Sequence, residues 1–353
     1  MADGMPVNVA IIGCGLIGAQ WDAAVQTPSV SLTHAAGFSK HPDARLVAVC
    51  DQDPDKAGQA AQRWGARAYT DPDRLFAENP IDLVVVATSS AARWSIIATV
   101  LVANVKVLVI EKPLASTLDE SKKLVAAITM AKVKSIVNFS RHWDPSMRQL
   151  RDKLGSGDFG TIQRIVGVYG KGITNNGSHM IDLAAFLSDS IPVKARSLGS
   201  PLESQEALWS GGKDHTLDAQ VVFANDHGVQ FHLTMLGTDQ RAFTCFELRV
   251  IGSRAICELA LGGRKLSYTQ LRDDPHYGGY IIPGEPVSLT ARAMEAMDMM
   301  ADEALQLALG QIDESSCDVH TALLTALAVE AVILSEKEGG RWVDIASLAT
   351  DII

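Results

Sequence analysis

Six residues near the N-terminus, Gly13-Cys14-Gly15-Leu16-Ile17-Gly18, have the glycine spacing of a loop that binds a dinucleotide. The apolar run Val7–Ile12 precedes them directly, so the loop falls at the first strand-to-helix turn of a predicted βαβ unit. Gly13 would permit the tight turn, Gly15 would let the backbone approach a pyrophosphate, and Gly18 would allow close packing of helix on strand. Free N–H groups of the helix would face the phosphates. The alternatives are a merely tight turn and the glycine loop of a methyltransferase.

A carboxylate, Asp51, ends the second apolar run, Leu46–Cys50. At this position it can accept hydrogen bonds from both ribose hydroxyls of the adenosine half of a dinucleotide, and it would repel a 2′-phosphate. No arginine follows immediately, so the sequence favours NAD over NADP as the cofactor. The alternative role, capping a helix that begins at Pro54, suits Asp53 better.

The spacing between the glycine loop and this carboxylate is unusually long. The acid commonly lies about 20 residues beyond the glycines, whereas Asp51 lies 33 positions beyond Gly18. We therefore expect an insertion at Gln20–Leu32, emerging at the carboxyl edge of the sheet. It is either a surface loop or a lid that contacts substrate and includes Trp21.

A lysine is the first candidate for handling a proton beside a nicotinamide, whose ring supplies the hydride chemistry. Lys112 follows Glu111 at the carboxyl end of the predicted strand Val105–Ile110, where ligands bind in open α/β sheets. Partly desolvated beside a positive ring, its ammonium would lose its proton more readily. It could then shuttle a proton or polarise a developing alkoxide. The alternative is a surface lysine paired with Glu111.

A histidine is the second candidate. His179 opens a predicted helix whose N-cap would be Ser178 or Asn176. The positive end of the helix dipole would lower its pKa, so a neutral imidazole could act as a base near neutral pH. Asp182, one turn later, could orient the imidazole, and Asn175 would hydrogen-bond a substrate hydroxyl. The alternative is that His179 and Asp182 serve only as polar residues of a first helical turn.

The first 140 residues provide elements that can position these groups. Runs rich in Val and Ile, without polar alternation, are typical of strands buried on both faces of a parallel sheet. They are Val7–Ile12, Leu46–Cys50, Leu83–Ala87, Val105–Ile110 and Ser135–Phe139. Ala-rich stretches between them suit crossover helices, so we predict an α/β fold with a doubly wound parallel sheet in residues 1–140.

The pattern changes after about Arg141. Several strand-like stretches follow with little helix between them, which indicates an α+β domain with a large, mainly antiparallel sheet in residues 141–353. Two helices, about Leu289–Leu309 and Asp318–Glu336, close the chain, and the last is apolar nearly all round and should be buried. An open sheet needs a cover, so we expect a homodimer or homotetramer formed through it.

Composition narrows the class of protein. The 353 residues carry a net charge of −10, which argues against a nucleic-acid or anionic-membrane partner. Five cysteines, an odd number without zinc or redox spacing, indicate a reduced cytoplasmic protein with no metal site. The N-terminus has no signal-peptide pattern, and no apolar run reaches the roughly 18 residues of a membrane span.

The motif Glu111-Lys112-Pro113 completes a pattern. Together with the glycine loop, the Asp51 strand end and Gly177-Ser178-His179-Met180-Ile181-Asp182, it resembles the glucose–fructose oxidoreductase, inositol dehydrogenase and MocA-like family of NAD(P)-dependent oxidoreductases. The resemblance implies a Rossmann domain followed by an open-faced sheet domain, with Lys112 and His179 as the catalytic pair and a cis Lys112–Pro113 bond. The implied substrate is a sugar, a sugar derivative such as a sugar nucleotide, or a polyol.

The chain departs from this family at two places. Asn175 stands where many relatives have an aspartate, which favours a sugar-type substrate over inositol. Ser89, Ser90 and Arg93 replace the Pro-Asn and histidine that relatives often carry.

The expected contacts fall into two sets. Cofactor contacts are expected from Gly13, Cys14, Gly15, Leu16, Ile17, Gly18, Asp51, Thr88, Ser89, Arg93, Glu111 and Lys112. Substrate contacts are expected from Lys112, Arg141, Trp143, Asn175, His179 and Tyr277. The alternatives are an NADP-preferring sugar oxidoreductase and a cofactor-binding regulator without turnover, against which the retained Lys112 and His179 argue. A methyltransferase would leave Glu111-Lys112-Pro113 unexplained.

Overall fold

The computed structural model describes residues 5–23, 30–200, 214–238 and 245–349. Contacts divide the chain into two compact units. The first contains the described residues of Met1–Asp144 and Met294–Leu323, and the second those of Pro145–Ala293 and Leu324–Ile352. The predicted insertion Gln20–Leu32 lies partly outside the described residues, because residues 24–29 are not among them.

The first unit is built on a six-stranded sheet in the order β3-β2-β1-β4-β5-β6, and all of its strand pairs are parallel. Its strands are Val7–Ile12 (β1), Ala44–Cys50 (β2), Arg67–Tyr69 (β3), Leu83–Val86 (β4), Val107–Ile110 (β5) and Lys134–Val137 (β6). The predicted doubly wound parallel sheet is therefore confirmed. Every residue of the central strands β4 and β5 is buried, which is why they appear in the sequence as uninterrupted apolar runs.

Crossover helices flank this sheet. They are His34–Lys40 (α1), Pro54–Trp64 (α2), Pro72–Glu78 (α3), Ser90–Val102 (α4) and Leu118–Ala131 (α5). Asp53 caps α2 as predicted, since its carboxylate accepts hydrogen bonds from the N–H groups of Asp55 and Lys56. Gly65, with φ of 68°, ends the same helix in the left-handed conformation.

A later part of the chain, Met294–Leu323, also belongs to this first unit. The helix Ala296–Leu309 (α8) lies against α1, where a Cβ on Gly37 would come within 3.3 Å of the Met297 carbonyl oxygen. Further along, the edge strand β6 is covered, because the Val137 N–H donates to the Cys317 carbonyl and the Lys134 ammonium donates to the Ile312 carbonyl. These contacts cover the edge of the sheet, which would otherwise be free to pair with another strand.

The second unit contains a ten-stranded sheet in the order β14-β13-β12-β11-β7-β10-β9-β8-β16, with β15 paired to β13. Its pairs are antiparallel except β7 with β10, so the predicted, mainly antiparallel sheet is confirmed. The strands are Ile162–Tyr169 (β7), Ile191–Gly199 (β8), Asp218–Ala224 (β9), Gln230–Gly237 (β10), Phe246–Gly252 (β11), Ala255–Ala260 (β12), Lys265–Asp273 (β13), Ile281–Pro283 (β14), Val287–Leu289 (β15) and Val343–Asp344 (β16). The predicted helix Leu289–Leu309 begins later than expected, because Val287–Leu289 pairs with β13.

Two helices of the second unit are Pro145–Gly155 (α6) and Ser178–Ser188 (α7). α7 packs closely on β7, since a Cβ on Gly167 would lie 1.8 Å from the Met180 sulfur. The last helix, Val319–Lys337 (α9), is long and apolar enough to span a membrane by length and composition, but 56% of that stretch is buried inside the protein. The sequence predicts that this apolar helix is buried, and burial of this extent is typical of a core helix.

Candidate active site

The glycine loop follows β1 and has the geometry that its spacing predicts. Gly13 has φ of +102°, and a Cβ there would lie 2.6 Å from the Ala87 carbonyl carbon, so only glycine fits this turn. A Cβ on Gly18 would lie 1.9 Å from the Gly13 carbonyl oxygen, whereas no described residue lies within 4 Å of a Cβ on Gly15. The loop is thus closed at its two ends and open at its centre.

The helix after the loop differs from the expected one. It is a π-helical turn of five residues, Leu16–Gln20, and Trp21, which follows, still has right-handed helical dihedrals. A turn this short carries little macrodipole. The expectation that free N–H groups at the start of this turn face the phosphates stays a prediction.

Asp51 joins the end of β2 to the glycine loop. Its Oδ2 accepts a hydrogen bond from the Cys14 N–H at 2.8 Å, and its Oδ1 accepts one from the Asp53 N–H at 3.0 Å. Each oxygen still has a lone pair for a further donor. The nearby thiol of Cys14 stays protonated, since burial, and secondly the charge of Asp51, raise its pKa to about 12.

The two ends of the insertion are held together. Asp22 is fully buried, and its carboxylate accepts hydrogen bonds from the Leu32 N–H at 3.1 Å and the Thr33 hydroxyl at 2.5 Å. Arg63 of α2 donates to the carbonyls of Asp22 and Ala23. These hydrogen bonds fix the positions of the two ends of the insertion. Residues 24–29, between the two ends, lie outside the described residues.

Glu111 is buried in a network of side chains. Its Oε1 accepts hydrogen bonds from the Nε2 of His34 at 2.8 Å and the Nδ2 of Asn138 at 2.7 Å. Burial disfavours the charged carboxylate, but these hydrogen bonds and the charges of His34 and Lys112 outweigh that cost and hold the pKa of Glu111 below its ordinary value. The residue Glu111 is 9% exposed and bound to two other side chains, so it is not a surface residue.

Sequence reasoning did not assign His34 and Asn138 to the site. His34 is the first residue of the helix His34–Lys40, and Asn138 directly follows β6. A polar residue at the carboxyl end of a parallel strand is a signal that could have identified Asn138.

Lys112 stands at the carboxyl end of β5 and is half-buried. The Lys112–Pro113 peptide bond is cis, as expected from the resemblance. Across from it, at the end of β4, the Thr88 hydroxyl oxygen is buried and has no hydrogen-bond partner within the described ranges. Ser89, the next residue, is exposed.

Arg93, expected among the cofactor contacts, is almost completely buried, with 2% of its surface exposed. Its guanidinium donates hydrogen bonds to the carbonyls of Thr88, Pro113 and Leu114. Together with the Asp51–Cys14 bond and the contact of Gly13 with Ala87, these bonds bring the glycine loop and the ends of β2, β4 and β5 together in one contiguous group.

The expected substrate residues after β6, Arg141 and Trp143, differ in how far their side chains are exposed to solvent. Arg141 is half-buried in the 3₁₀ turn Ser140–His142, whereas the Trp143 side chain is fully buried. The neighbouring His142 contacts the Ser316 carbonyl through Nδ1 at 2.7 Å. The Trp143 indole packs in the core of the first unit.

In the second unit, Asn175 lies in a π-helical segment, Gly172–Gly177, that runs directly into α7. The carboxylate of Asp214 accepts hydrogen bonds from the N–H groups of Thr174 at 3.0 Å and Asn175 at 2.9 Å. Sequence reasoning missed Asp214, because nothing in its local sequence marks it as a partner of a loop 39 residues away.

The predicted N-cap of α7 is wrong. Gly177 occupies the N-cap position without a side-chain hydrogen bond, and the Ser178 hydroxyl donates back to the Asn175 carbonyl at 2.8 Å. Because helical backbone precedes Ser178, half-buried His179 does not lie at a free helix start, and the helix-dipole argument for it loses force. Asp182 is buried one turn later in α7.

Tyr277 lies in the turn between β13 and β14 and is 68% exposed. Its ring contacts Tyr280 edge to face, with centroids 6.2 Å apart.

Comparison with known proteins gives three kinds of match. A family described as "Oxidoreductase family, NAD-binding Rossmann fold" matches residues 7–139. Inositol 2-dehydrogenase 2 of Saccharopolyspora erythraea is 31% identical over 196 residues, covering 52% of this chain and 54% of that protein. D-apiose dehydrogenase of Paraburkholderia graminis is 28% identical over 153 residues, covering 43% and 37%. The chain thus spans about half, or less, of the length of these curated relatives.

Among solved structures, an inositol dehydrogenase homologue from Azotobacter vinelandii, complexed with NAD⁺, matches with a TM-score of 0.72 and 19% identity. The match covers 97% of this chain and 98% of that one. At this identity the likeness shows a shared fold.

Proposed function

We propose that this chain is an NAD-dependent dehydrogenase of a polyol or sugar, in the glucose–fructose oxidoreductase, inositol dehydrogenase and MocA family. The proposal is supported by the match of residues 7–139 to an oxidoreductase family with an NAD-binding Rossmann fold and by the likeness to inositol 2-dehydrogenase 2. The observation that carries the proposal is the contiguous group at the carboxyl ends of β1, β2, β4 and β5. It combines the glycine loop, Asp51, Thr88 and Lys112.

The described residues fit a dinucleotide. Among the described residues none fills the space beside Gly15, where the backbone can approach a pyrophosphate. The buried Thr88 hydroxyl oxygen has a hydrogen-bonding capacity that no described residue uses. Each oxygen of Asp51 can accept a further bond, from a ribose hydroxyl. NAD, when bound, supplies the hydride-accepting ring.

The cofactor preference follows from charge. Asp51 is a carboxylate within the loop region that would face the adenosine ribose, and a 2′-phosphate there would be repelled. We therefore propose NAD rather than NADP as the working cofactor.

Lys112 is proposed as the group that takes the proton from the substrate hydroxyl or polarises its oxygen. It follows a buried, charged Glu111, so its backbone is anchored while its half-buried side chain extends from the strand end. General acid–base chemistry of this kind typically contributes about 10²–10⁴-fold in rate.

His179 is proposed as the second proton-handling group, as the family resemblance implies, with Asp182 orienting it and Asn175 hydrogen-bonding a substrate hydroxyl. The hydrogen bond from the Asn175 backbone N–H to the Asp214 carboxylate fixes the backbone that carries the side-chain amide of Asn175, which supports this role. The expected contacts of Arg141, Trp143 and Tyr277 with substrate stay predictions, as does the homodimer or homotetramer.

The substrate class is proposed from the relatives, which are named for inositol and for apiose. The test measures reduction of NAD⁺ by nicotinamide absorbance with myo-inositol, scyllo-inositol and D-apiose in turn. Turnover of one of these polyhydroxy compounds supports the proposal, and the preferred one decides between a cyclic polyol and a sugar. Tight NADH binding without turnover of any would favour a cofactor-binding regulator instead.

A further inference from the structure

We propose that Arg93 is a positioning residue that holds the backbone on the carboxyl side of Lys112 in its working place. The inference rests on the proposed function of Lys112. It gives Arg93 a role other than cofactor contact, one carried by its hydrogen bonds to the main chain.

The guanidinium connects two neighbouring strand ends. Arg93 lies in the first turn of α4 and reaches inward, where one amino group donates to the carbonyls of Pro113 and Leu114, the latter at 3.3 Å. The other amino group donates to the Thr88 carbonyl at 2.7 Å. The donors of a guanidinium are on separate nitrogens in a planar fork, so one side chain can bind carbonyls of two strand ends, whereas a lysine directs all of its donors from one nitrogen.

Burying the Arg93 guanidinium costs free energy, because the charged group loses its hydration. A buried guanidinium must replace its lost hydration with hydrogen bonds. Burial lowers the pKa of Arg93 to about 10, and the charge of Glu111 partly opposes this, so the group stays protonated at neutral pH. The three carbonyls and the nearby carboxylate compensate for the lost hydration of the two amino groups, whereas the buried Nε has no hydrogen-bond partner within the described residues.

The segment that carries Lys112 is held on both sides. On its amino side, Glu111 is bound by His34 and Asn138. On its carboxyl side, Pro113 and Leu114 are bound by Arg93. Removing Arg93 releases one side only, so the expected effect is a misplaced lysine in a folded protein, which lowers kcat more than it weakens cofactor binding.

The test compares Arg93→Ala with a matched control, Arg45→Ala. Arg45 also donates two hydrogen bonds to one oxygen, that of the Asn8 side chain, but it is exposed and lies at the amino end of β2. Kinetics are measured with NAD⁺ and the polyol that wild-type protein oxidises, and NADH affinity by nicotinamide fluorescence. We expect Arg93→Ala to lose about 10–100-fold in kcat, as misplacement of a catalytic group does, with NADH affinity changed less than about threefold and Arg45→Ala unchanged.

Chemical rescue separates positioning from general damage. Added guanidinium at low millimolar concentration should enter the space left in Arg93→Ala and restore part of kcat, whereas the same concentration of urea, which is planar but uncharged, should not. Arg93→Lys keeps a cation, but all of its N–H donors are on one nitrogen that cannot reach both strand ends, so it should fold, bind NADH normally and still show reduced kcat. Wild-type kcat in either variant overturns the inference, and so does a loss of NADH affinity as large as the loss of kcat.

The parallel variant Lys112→Met separates this inference from the proposed function. If Lys112→Met retains turnover, the proposed role of the lysine falls. If Lys112→Met is inactive while Arg93→Ala is fully active, only the role of Arg93 falls. Should no tested polyol be oxidised, the rate at which pyridoxal phosphate labels Lys112, followed by mass spectrometry, still decides: a rate equal in wild type and Arg93→Ala overturns the inference.

Discussion

The glycine loop allows a sharp test of cofactor binding that needs no knowledge of the substrate. Gly15 and Gly18 lie three residues apart, yet alanine at each should have opposite effects. A Cβ on Gly15 meets no atom of the described part of the chain within 4 Å, and its φ of −73° suits any residue. A Cβ on Gly18 would lie 1.9 Å from the Gly13 carbonyl oxygen.

The magnitudes follow from this geometry. Gly15→Ala should keep the free energy of unfolding or raise it by about 0.4–1 kcal/mol, because the unfolded chain loses conformational freedom. Its methyl group would stand where a pyrophosphate must approach, so NADH affinity should fall at least tenfold, about 1.4 kcal/mol. Gly18→Ala must move a backbone contact from 1.9 Å to at least 3.0 Å, and should lose about 1–3 kcal/mol of stability or more.

The assays are urea unfolding without cofactor and titration of nicotinamide fluorescence with NADH. An unchanged NADH dissociation constant in folded Gly15→Ala would refute the placement of the pyrophosphate at the glycine loop. A clear loss of stability in Gly15→Ala would refute the claim that the loop is open at its centre.

Further predictions concern carboxylates. Glu111→Gln should lower the free energy of unfolding by about 1–2 kcal/mol near pH 7, because two charge-assisted hydrogen bonds become neutral. Since the pKa of Glu111 is lowered in the folded protein, its contribution is complete above the ordinary glutamate pKa and is lost as the pH falls through the lowered one. Urea unfolding should therefore show the difference between wild type and variant shrinking in acid, and a constant difference would contradict the network. Asp51→Ala should reduce the preference for NADH over NADPH by about tenfold or more in paired titrations, whereas an unchanged ratio would remove Asp51 from cofactor selection. Asp214→Ala should raise KM for the polyol and leave NADH affinity unchanged, because it frees the backbone of Asn175. An unchanged KM would show that the Asn175 amide needs no such support.

The parallel sheet could be predicted from the sequence because its central strands are buried on both faces and appear as unbroken apolar runs. The strand β3 could not, since it has three residues, Arg67–Tyr69, of which only Tyr69 is buried. The mainly antiparallel second sheet was also predictable, from strand-like stretches separated by turn residues.

Within the candidate site, local patterns were predictable and distant pairings were not. The glycine loop, Asp51 and the Glu111-Lys112-Pro113 segment each carry a short motif. His34 and Glu111 are 77 residues apart, and no local pattern links them. Arginine is commonly exposed, so its type alone gave no indication that Arg93 is buried under the lysine segment. Ser178 is a common N-cap residue type, and its use as a donor to Asn175 depends on the preceding π-helical segment.

The central claim is that this protein oxidises a polyol or sugar with NAD and uses Lys112 to handle the proton. The most direct measurement is NAD⁺ reduction by wild type and Lys112→Met, both first shown by fluorescence to bind NADH. We predict turnover by wild type and a loss of at least about 10²-fold in Lys112→Met, with NADH affinity nearly intact. Equal turnover by the two proteins would contradict the role proposed for Lys112.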